Sequence, residues 1–238
     1  MKEDIRRLEG RYILITGASR GIGAAVARRY AKEGAHLILI ARTTGALEEL
    51  DDEIQSITGA PATLIPMDLT DFEKIDHAAA ALNERFGRLD VLVGNAGILG
   101  SLGPLGHADP RLWDQVMAIN LTANWRLIRA MDPLLRRSDS GRAIFVTSTV
   151  GGNPRAYWSA YAVSKAALEM AVRIYAKEIT GSSIRCNLIN PGSTRTAMRA
   201  QAMPGENPMN VKPPEALTDA FVSLAEPECT NNGALVTC

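Results

Sequence analysis

Three side chains that can move a proton or stabilise charge occur close together in the sequence: Ser148, Tyr161 and Lys165. Tyr161 and Lys165 have the Y-x-x-x-K spacing, so a helix would place both on one face. An ammonium group beside a tyrosine hydroxyl favours the phenolate and lowers a pKa that starts at about 10. We therefore predict that Tyr161 acts as a general acid or base. The same spacing is common in ordinary amphipathic helices, so the prediction depends on the surrounding elements.

A glycine-rich segment near the N-terminus predicts a nucleotide-binding loop. The run from Tyr12 to Thr16 is typical of a short buried strand, and it leads directly into Gly17-Ala18-Ser19-Arg20-Gly21-Ile22-Gly23. A helical pattern follows from Ala24 to Glu33. In such a unit the glycines permit close backbone approach, and unpaired N–H groups at the start of the helix attract a pyrophosphate. The spacing G-x-x-x-G-x-G differs from the commoner G-x-G-x-x-G, so the flanking strand and helix carry the prediction.

Apolar runs of strand length alternate with helical patterns along the rest of the chain. They lie at Tyr12 to Thr16, His36 to Ala41, Ala62 to Met67, Leu89 to Gly94, Ala143 to Ser148, Ile184 to Asn190 and Ala234 to Thr237. Strands that are apolar on both faces and separated by helices indicate a parallel sheet covered on both sides. We predict one α/β domain over residues 1–238, a doubly wound Rossmann fold with a mostly seven-stranded parallel sheet and helices on both faces.

Three local signals predict where helices begin. Thr70 and Glu73 form a candidate capping box, and Asp109-Pro110 fits an N-cap followed by proline at the first helical position. Pro213-Pro214 is predicted to open the last helix.

The composition narrows the class of partner. The 26 basic and 26 acidic residues balance, so no charge excess favours nucleic acid or an anionic membrane. No apolar run reaches the length of about 18 residues typical of a membrane span, and the sequence begins with charged residues, so we expect a cytoplasmic protein with a small-molecule partner. The 3 cysteines and 3 histidines are scattered, which favours reduced thiols and no metal site.

Further polar signals follow the predicted strands. Asp68 follows the third strand, Asn95-Ala96-Gly97 the fourth and Pro191 to Thr196 the sixth, while Asn120 interrupts an apolar helical stretch. In this order, and together with the motifs above, the sequence resembles the single-domain branch of the short-chain dehydrogenase/reductase family from residue 11 to about residue 200. The resemblance is specific because several separated motifs agree with the family pattern in both order and spacing.

The resemblance implies an oxidoreductase. Tyr161 would pass a proton to or from the substrate oxygen while a hydride moves between the substrate carbon and the nicotinamide. Ser148 would hydrogen-bond the same oxygen. Lys165 would lower the pKa of Tyr161 and hold the nicotinamide ribose. Asn120, at a helix irregularity, would extend a proton relay through a water molecule. An unpaired amide in an apolar stretch is costly, and the alternative for Asn120 is a simple helix–helix hydrogen bond.

The end of the second strand predicts the cofactor. In NAD-binding proteins of this fold, an acidic residue about 20 positions after the glycine loop binds the ribose 2′-hydroxyl. This chain instead has Arg42 there, and Arg20 lies inside the loop. Two guanidinium groups suit the extra phosphate of NADP, so we predict NADP (NADPH) over NAD, the alternative being two solvated surface charges. The cofactor-binding set implied by the resemblance is Gly17, Ser19, Arg20, Gly21, Ile22, Gly23, Arg42, Asp68, Leu69, Asn95, Ala96, Gly97, Tyr161, Lys165, Pro191, Gly192, Thr194 and Thr196.

The substrate is less closely defined. The irregular segment 193–212 predicts either a substrate lid or a poorly ordered connection. Apolar candidate pocket walls favour an uncharged or hydrophobic carbonyl or alcohol, although Arg155, Arg195 and Arg199 leave an anionic substrate open.

Two other functions remain open. The chain is alternatively a non-catalytic NADP-binding sensor or scaffold, or an epimerase or dehydratase on the same fold. Surplus apolar positions in the helices from Arg111 to Arg136 and from Trp158 to Ile179 predict a homodimer or homotetramer.

Overall fold

The apolar runs of the sequence form the strands of one sheet in the computed structural model, which describes residues 6–238. The strands are β1 Tyr12–Thr16, β2 His36–Ala41, β3 Thr63–Pro66, β4 Val91–Gly94, β5 Arg142–Val146, β6 Arg185–Asn190 and β7 Leu235–Thr237. Their order is β3-β2-β1-β4-β5-β6-β7, and each neighbouring pair is parallel. The predicted Rossmann-type, seven-stranded parallel sheet is therefore confirmed.

Helices connect the strands and cover both faces of the sheet. They are α1 Gly21–Lys32, α2 Thr44–Thr58, α3 Phe72–Phe86, α4 Pro110–Met117, α5 Ala123–Leu135, α6 Thr149–Gly152, α7 Ser159–Glu178, α8 Ala197–Ala202 and α9 Thr218–Ala225. A π-helical turn, Ala118–Thr122, joins α4 to α5, and 3₁₀ turns lie at Leu105–His107, Pro208–Asn210 and Pro214–Leu217. None of the helices in residues 6–238 combines the length and the apolar character that crossing a membrane requires.

Two apolar cores lie on the two faces of the sheet. Successive residues of a strand point to opposite faces. Ile13 and Ile15 accordingly pack in the core that includes α1, α2 and α9, whereas Leu14 packs in the core that includes α3, α5 and α7. Both cores are continuous along the strands, which explains why the strand sequences are apolar throughout.

The helix-start predictions have different outcomes. The Asp109 cap is confirmed, because its carboxylate accepts hydrogen bonds from the N–H groups of Arg111 and Leu112. The capping box is wrong: α3 begins at Phe72, and Thr70 donates its N–H and hydroxyl to Asp68 Oδ1 at 2.9 and 2.8 Å. Asp68 lies only two residues before Thr70, so a local turn uses the hydrogen-bonding groups of Thr70 before the helix starts. The Thr70 side chain is therefore not used to cap α3.

Candidate active site

A cleft of about 1260 Å³ opens at the carboxyl ends of the strands. β1 connects to β2 on one side and pairs with β4 on the other, and ligands of this fold bind in the crevice at such a reversal of strand order. All but two of the predicted site residues line the cleft: Gly17, Ser19, Arg20, Gly21, Ile22, Arg42, Asp68, Leu69, Asn95, Ala96, Gly97, Ser148, Tyr161, Lys165, Pro191, Gly192, Thr194 and Thr196. The exceptions, Gly23 and Asn120, lie behind its wall.

The glycine loop packs tightly against the loop that follows β4. Gly17 has a φ of 64°, and a Cβ there would lie 2.9 Å from the Cα of Ala96. A Cβ on Gly23 would overlap the carbonyl oxygen of Gly17. Larger residues would therefore push the loop away from β4 or out of its turn. Gly23 shapes the loop from behind, which is why it does not reach the cleft.

The acidic and basic groups at the glycine-loop end of the cleft lie close to one another. Arg42 Nη1 is 3.8 Å from Asp68 Oδ2, and both side chains remain largely exposed. The hydrogen bond from the Thr70 N–H is the main cause that lowers the pKa of Asp68, and Arg42 contributes further. Arg20 lines the same cleft. This end of the cleft therefore presents two guanidinium groups and one ionised carboxylate.

The other end of the cleft holds Ser148, Tyr161 and Lys165. Ser148 follows β5 and precedes α6, while Tyr161 and Lys165 lie in the first half of α7. Lys165 Nζ lies 5.8 Å from the centroid of the Tyr161 ring, so the two side chains share a face of the helix. The ammonium donates a hydrogen bond of 2.8 Å to the Val146 carbonyl, which holds it at the end of β5.

Burial sets the pKa values of this cluster. It raises the pKa of Tyr161, and a hydrogen bond with Ser148 opposes the rise. Burial also lowers the pKa of Lys165 to about 8, although the negative charge of Glu169 acts to raise it. The predicted lowering of the Tyr161 pKa by Lys165 is therefore not found. The physical reason is that desolvation penalises the charged form of both groups, while the ammonium is bonded to a backbone carbonyl rather than to the phenol.

Asn120 lies in the π-helical turn, so the predicted helix irregularity is confirmed. Its amide nitrogen donates to the Ile98 carbonyl at 2.9 Å and to the Ser164 hydroxyl at 3.0 Å, and its Oδ1 accepts from the Ile98 N–H at 2.9 Å. Ser164 belongs to α7, so the alternative of a helix–helix hydrogen bond is also present. Ser164 in turn donates to the Tyr161 carbonyl. Asn120 thus ties the loop after β4 to the helix that carries Tyr161.

Part of the segment 193–212 lines the cleft near Tyr161. Met198, Arg199, Gln201 and Ala202 of α8 line the cleft. The two ends of the segment are joined by a 2.8 Å hydrogen bond from the Arg195 N–H to the Lys212 carbonyl. The segment is therefore irregular but hydrogen-bonded, and its helix α8 packs beside Tyr161.

Comparison with known proteins identifies the family. Residues 11–207 match the family model described as short chain dehydrogenase. The chain belongs to this family of oxidoreductases. It is 39% identical over 225 residues to the uncharacterized oxidoreductase YciK of Escherichia coli (strain K12), covering 94% of this chain and 88% of that protein.

Solved structures resemble this short-chain dehydrogenase over almost its whole length. A putative short chain dehydrogenase from Pseudomonas syringae has a TM-score of 0.95 and 42% identity, covering 98% of this chain and 96% of that one. One from Shigella flexneri 2a str. 301, described as complexed with NADP, has a TM-score of 0.95 and 37% identity over 98% and 99% of the two chains.

Sequence reasoning missed two groups that position the site of this dehydrogenase. The Thr16 hydroxyl accepts hydrogen bonds of 3.1 Å from the N–H groups of Asn95 and Ala96, and so holds the loop after β4. Glu169 is buried, with 4% of its side chain exposed, and accepts a 2.8 Å hydrogen bond from the Thr147 hydroxyl. A signal for Glu169 was available, because it continues the four-residue spacing of Tyr161 and Lys165 along α7.

Proposed function

We propose that this chain is an NADP(H)-dependent oxidoreductase that interconverts a carbonyl and an alcohol, with Tyr161 as the general acid and base. Residues 1–238 would form a single catalytic domain, with 193–212 as its substrate lid. The observation that carries the proposal is the meeting of Ser148, Tyr161 and Lys165 in one cleft that continues to the glycine loop. The NADP complex of the Shigella flexneri relative supports the choice of cofactor.

The residues of the cleft fit a dinucleotide phosphate. The cleft exceeds the range of about 300–1,000 Å³ typical of a small-ligand pocket, which leaves room for a dinucleotide together with a substrate. Gly17 and Gly21 permit close approach of a pyrophosphate to the start of α1. Arg20 and Arg42 would bind the 2′-phosphate, and Asp68 would accept a hydrogen bond from the adenine amine.

The remaining cofactor contacts follow from the same cleft. Asn95, Ala96 and Gly97 would line the adenine ribose, and Thr196 would meet the carboxamide. Leu69, Pro191, Gly192 and Thr194 would complete the walls, and Lys165 would hold the nicotinamide ribose. When bound, the nicotinamide supplies or accepts the hydride.

The protonation state of Tyr161 supports a role as a proton donor. Because burial raises its pKa, the phenol carries its proton at neutral pH and can donate it to a substrate oxygen. The Ser148 hydroxyl, which lines the same cleft as the phenol, would contact the same oxygen and stabilise the charge that develops on it. Lys165, which donates to the Val146 carbonyl and lies 5.8 Å from the centroid of the Tyr161 ring, would place its positive charge beside the bound cofactor. Asn120 would hold the loop after β4, through Ile98, against α7 and so fix the proposed proton relay.

The test of this function is Tyr161→Phe in an assay of NADPH consumption on a panel of carbonyl compounds. The variant lacks the transferable proton, so we expect its rate to fall by about 10² to 10⁴. Because phenylalanine keeps the apolar ring, the melting temperature should stay close to that of the wild type. Full turnover by Tyr161→Phe on a substrate that the wild type reduces would contradict the proposal.

The cofactor preference is tested by Arg42→Asp. An acidic residue at this position repels the 2′-phosphate and accepts a hydrogen bond from a 2′-hydroxyl, so we expect kcat/KM to shift from NADPH towards NADH by about tenfold or more. Arg85→Asp makes the same charge change at an exposed site on α3 and should leave the ratio unchanged. An unaltered NADPH/NADH ratio in Arg42→Asp would reject the assignment of Arg42.

The alternative functions give different outcomes in the same assay. A sensor or scaffold would be stabilised by NADPH but would oxidise none of it across the panel. An epimerase or dehydratase would convert substrate without net NADPH consumption.

A further inference from the structure

A separate apolar cluster lies at the substrate end of the cleft. Leu99, Val150, Trp158 and Tyr161 form its buried part, and Leu102, Ala162, Met198 and Ala202 pack against it. The Trp158 and Tyr161 ring centroids are 5.9 Å apart, with their planes inclined at 58°. Trp158 lines the cleft and is 9% exposed, so part of its surface remains available to a ligand. The proposed proton donor therefore lies beside a wall that favours an apolar substrate body.

Three arginines in the sequence, Arg155, Arg195 and Arg199, made an anionic substrate possible. Two of them do not line the cleft. The Arg155 guanidinium lies over the Trp158 ring, 5.1 Å from its centroid, and Arg195 points towards Met209 Sδ at 3.6 Å. Both side chains are absent from the described lining of the cleft. Neither guanidinium therefore lies in the wall that a substrate beside Tyr161 would contact.

The third arginine, Arg199, lines the cleft but already has a partner. Its Nε lies 2.6 Å from one carboxylate oxygen of Glu206, and its Nη2 bonds the other. This two-point pair uses the geometry with which a guanidinium would otherwise recognise a substrate carboxylate. Both side chains are partly buried, which reduces the screening of the pair by water. Lys165, the other cation near Tyr161, donates to the Val146 carbonyl.

We propose that the substrate of this site is an uncharged carbonyl compound whose hydrophobic body packs against Trp158 and α8, and that the Arg199–Glu206 pair excludes substrates carrying a carboxylate. The proposal rests on the proposed function. A carboxylate that binds Arg199 beside α8 has to displace Glu206 from it, whereas a neutral ester needs no cation and can pack against the apolar cluster. Specificity would then arise from a repulsive element in addition to an attractive one.

The experiment compares ethyl benzoylformate with benzoylformate, which contain the same ketone as a neutral ester and as an anion. We expect the wild type to have a kcat/KM for the ester at least about tenfold above that for the acid. Glu206→Gln frees Arg199, so kcat/KM for the acid should rise by about tenfold, the effect of one charge-assisted hydrogen bond. The value for the ester should stay within about twofold. Glu178→Gln, the same change at the exposed end of α7, serves as the matched control and should change neither value.

Trp158→Ala tests the apolar wall separately. It should lower kcat/KM for the ester by about tenfold, mainly through KM, because the ester loses apolar contact area. A wild-type preference for the acid, or an ester-to-acid ratio that Glu206→Gln leaves unchanged, would overturn the proposal.

A second readout keeps the proposal testable if neither ketone turns over. Thermal stability in the presence of NADPH should rise with the ester and not with the acid. Stabilisation by the acid, or by neither compound, would overturn the substrate class. Absence of NADPH oxidation with every carbonyl tested would instead count against the proposed function, so the two failures are distinguishable.

Discussion

Lys165 and Glu169 illustrate how single buried residues set the chemistry of the site. They lie one helical turn apart on α7, and the carboxylate of Glu169 raises the pKa of Lys165 while burial lowers it to about 8. Glu169 also accepts a hydrogen bond from Thr147, the neighbour of Ser148, and pairs with Arg173 Nη2 at 3.2 Å. One carboxylate that does not line the cleft therefore acts on Lys165 and bonds the neighbour of Ser148.

Glu169→Gln tests this positioning role through the pH dependence of the reaction. Removing the negative charge lowers the pKa of Lys165 further, so the ammonium loses its proton at a lower pH. We expect the alkaline limb of the kcat/KM profile to move to lower pH, with a loss of about tenfold at pH 9 and a smaller change at pH 6.5. Glu178→Gln is the control. A uniform loss at all pH values would indicate a purely structural role for Glu169.

At the scale of elements, the π-helical turn between α4 and α5 is what brings Asn120 to the site. In this turn Asn120 directs its amide to Ile98 and Ser164, while its carbonyl accepts a 2.8 Å hydrogen bond from the Asn124 side chain. π-helical turns of this kind occur frequently at functional sites. The turn therefore joins three elements, α5, α7 and the loop after β4, at the position where the proposed relay would run.

At the scale of the whole molecule, the outer faces of α5 and α7 expose several large apolar side chains. Trp125 is 48% exposed, Met170 57% and Ile174 50%. α5 and α7 pack in the same core, and the Tyr175 hydroxyl joins them by a 2.7 Å hydrogen bond to Asp132. Large apolar side chains that are exposed on neighbouring helices favour an interaction site. We propose that it forms the contact between copies of this chain in a homodimer or homotetramer.

The double variant Met170→Glu/Ile174→Glu tests this association. Two carboxylates on one helix face would face their symmetry mates across a self-complementary interface, so we expect dissociation to monomers at micromolar concentration. Ile57→Glu places the same group on α2, at a partly exposed site away from this face, and should leave the oligomeric state unchanged. Analytical ultracentrifugation measures both. If the double variant and the wild type sediment alike, the contact lies elsewhere.

Local patterns in the sequence were sufficient to predict the fold and candidate residues that line one cleft. The glycine loop, the strand ends and the Y-x-x-x-K spacing depend on backbone geometry within a few residues, and parallel strands bring their carboxyl ends to one edge. The structure accordingly places Ser148, Tyr161 and Lys165 in the cleft where they were expected.

Only the tertiary structure decided the charges and the finer contacts. The raised pKa of Tyr161, the burial of Glu169 and the pairing of Arg199 with Glu206 all depend on how distant segments exclude water or meet in space. Desolvation and ion pairing vary with the distance and burial of groups, and neither quantity can be read from residue spacing. For the same reason the sequence left the substrate's charge open, whereas the folded chain shows which cations already have partners.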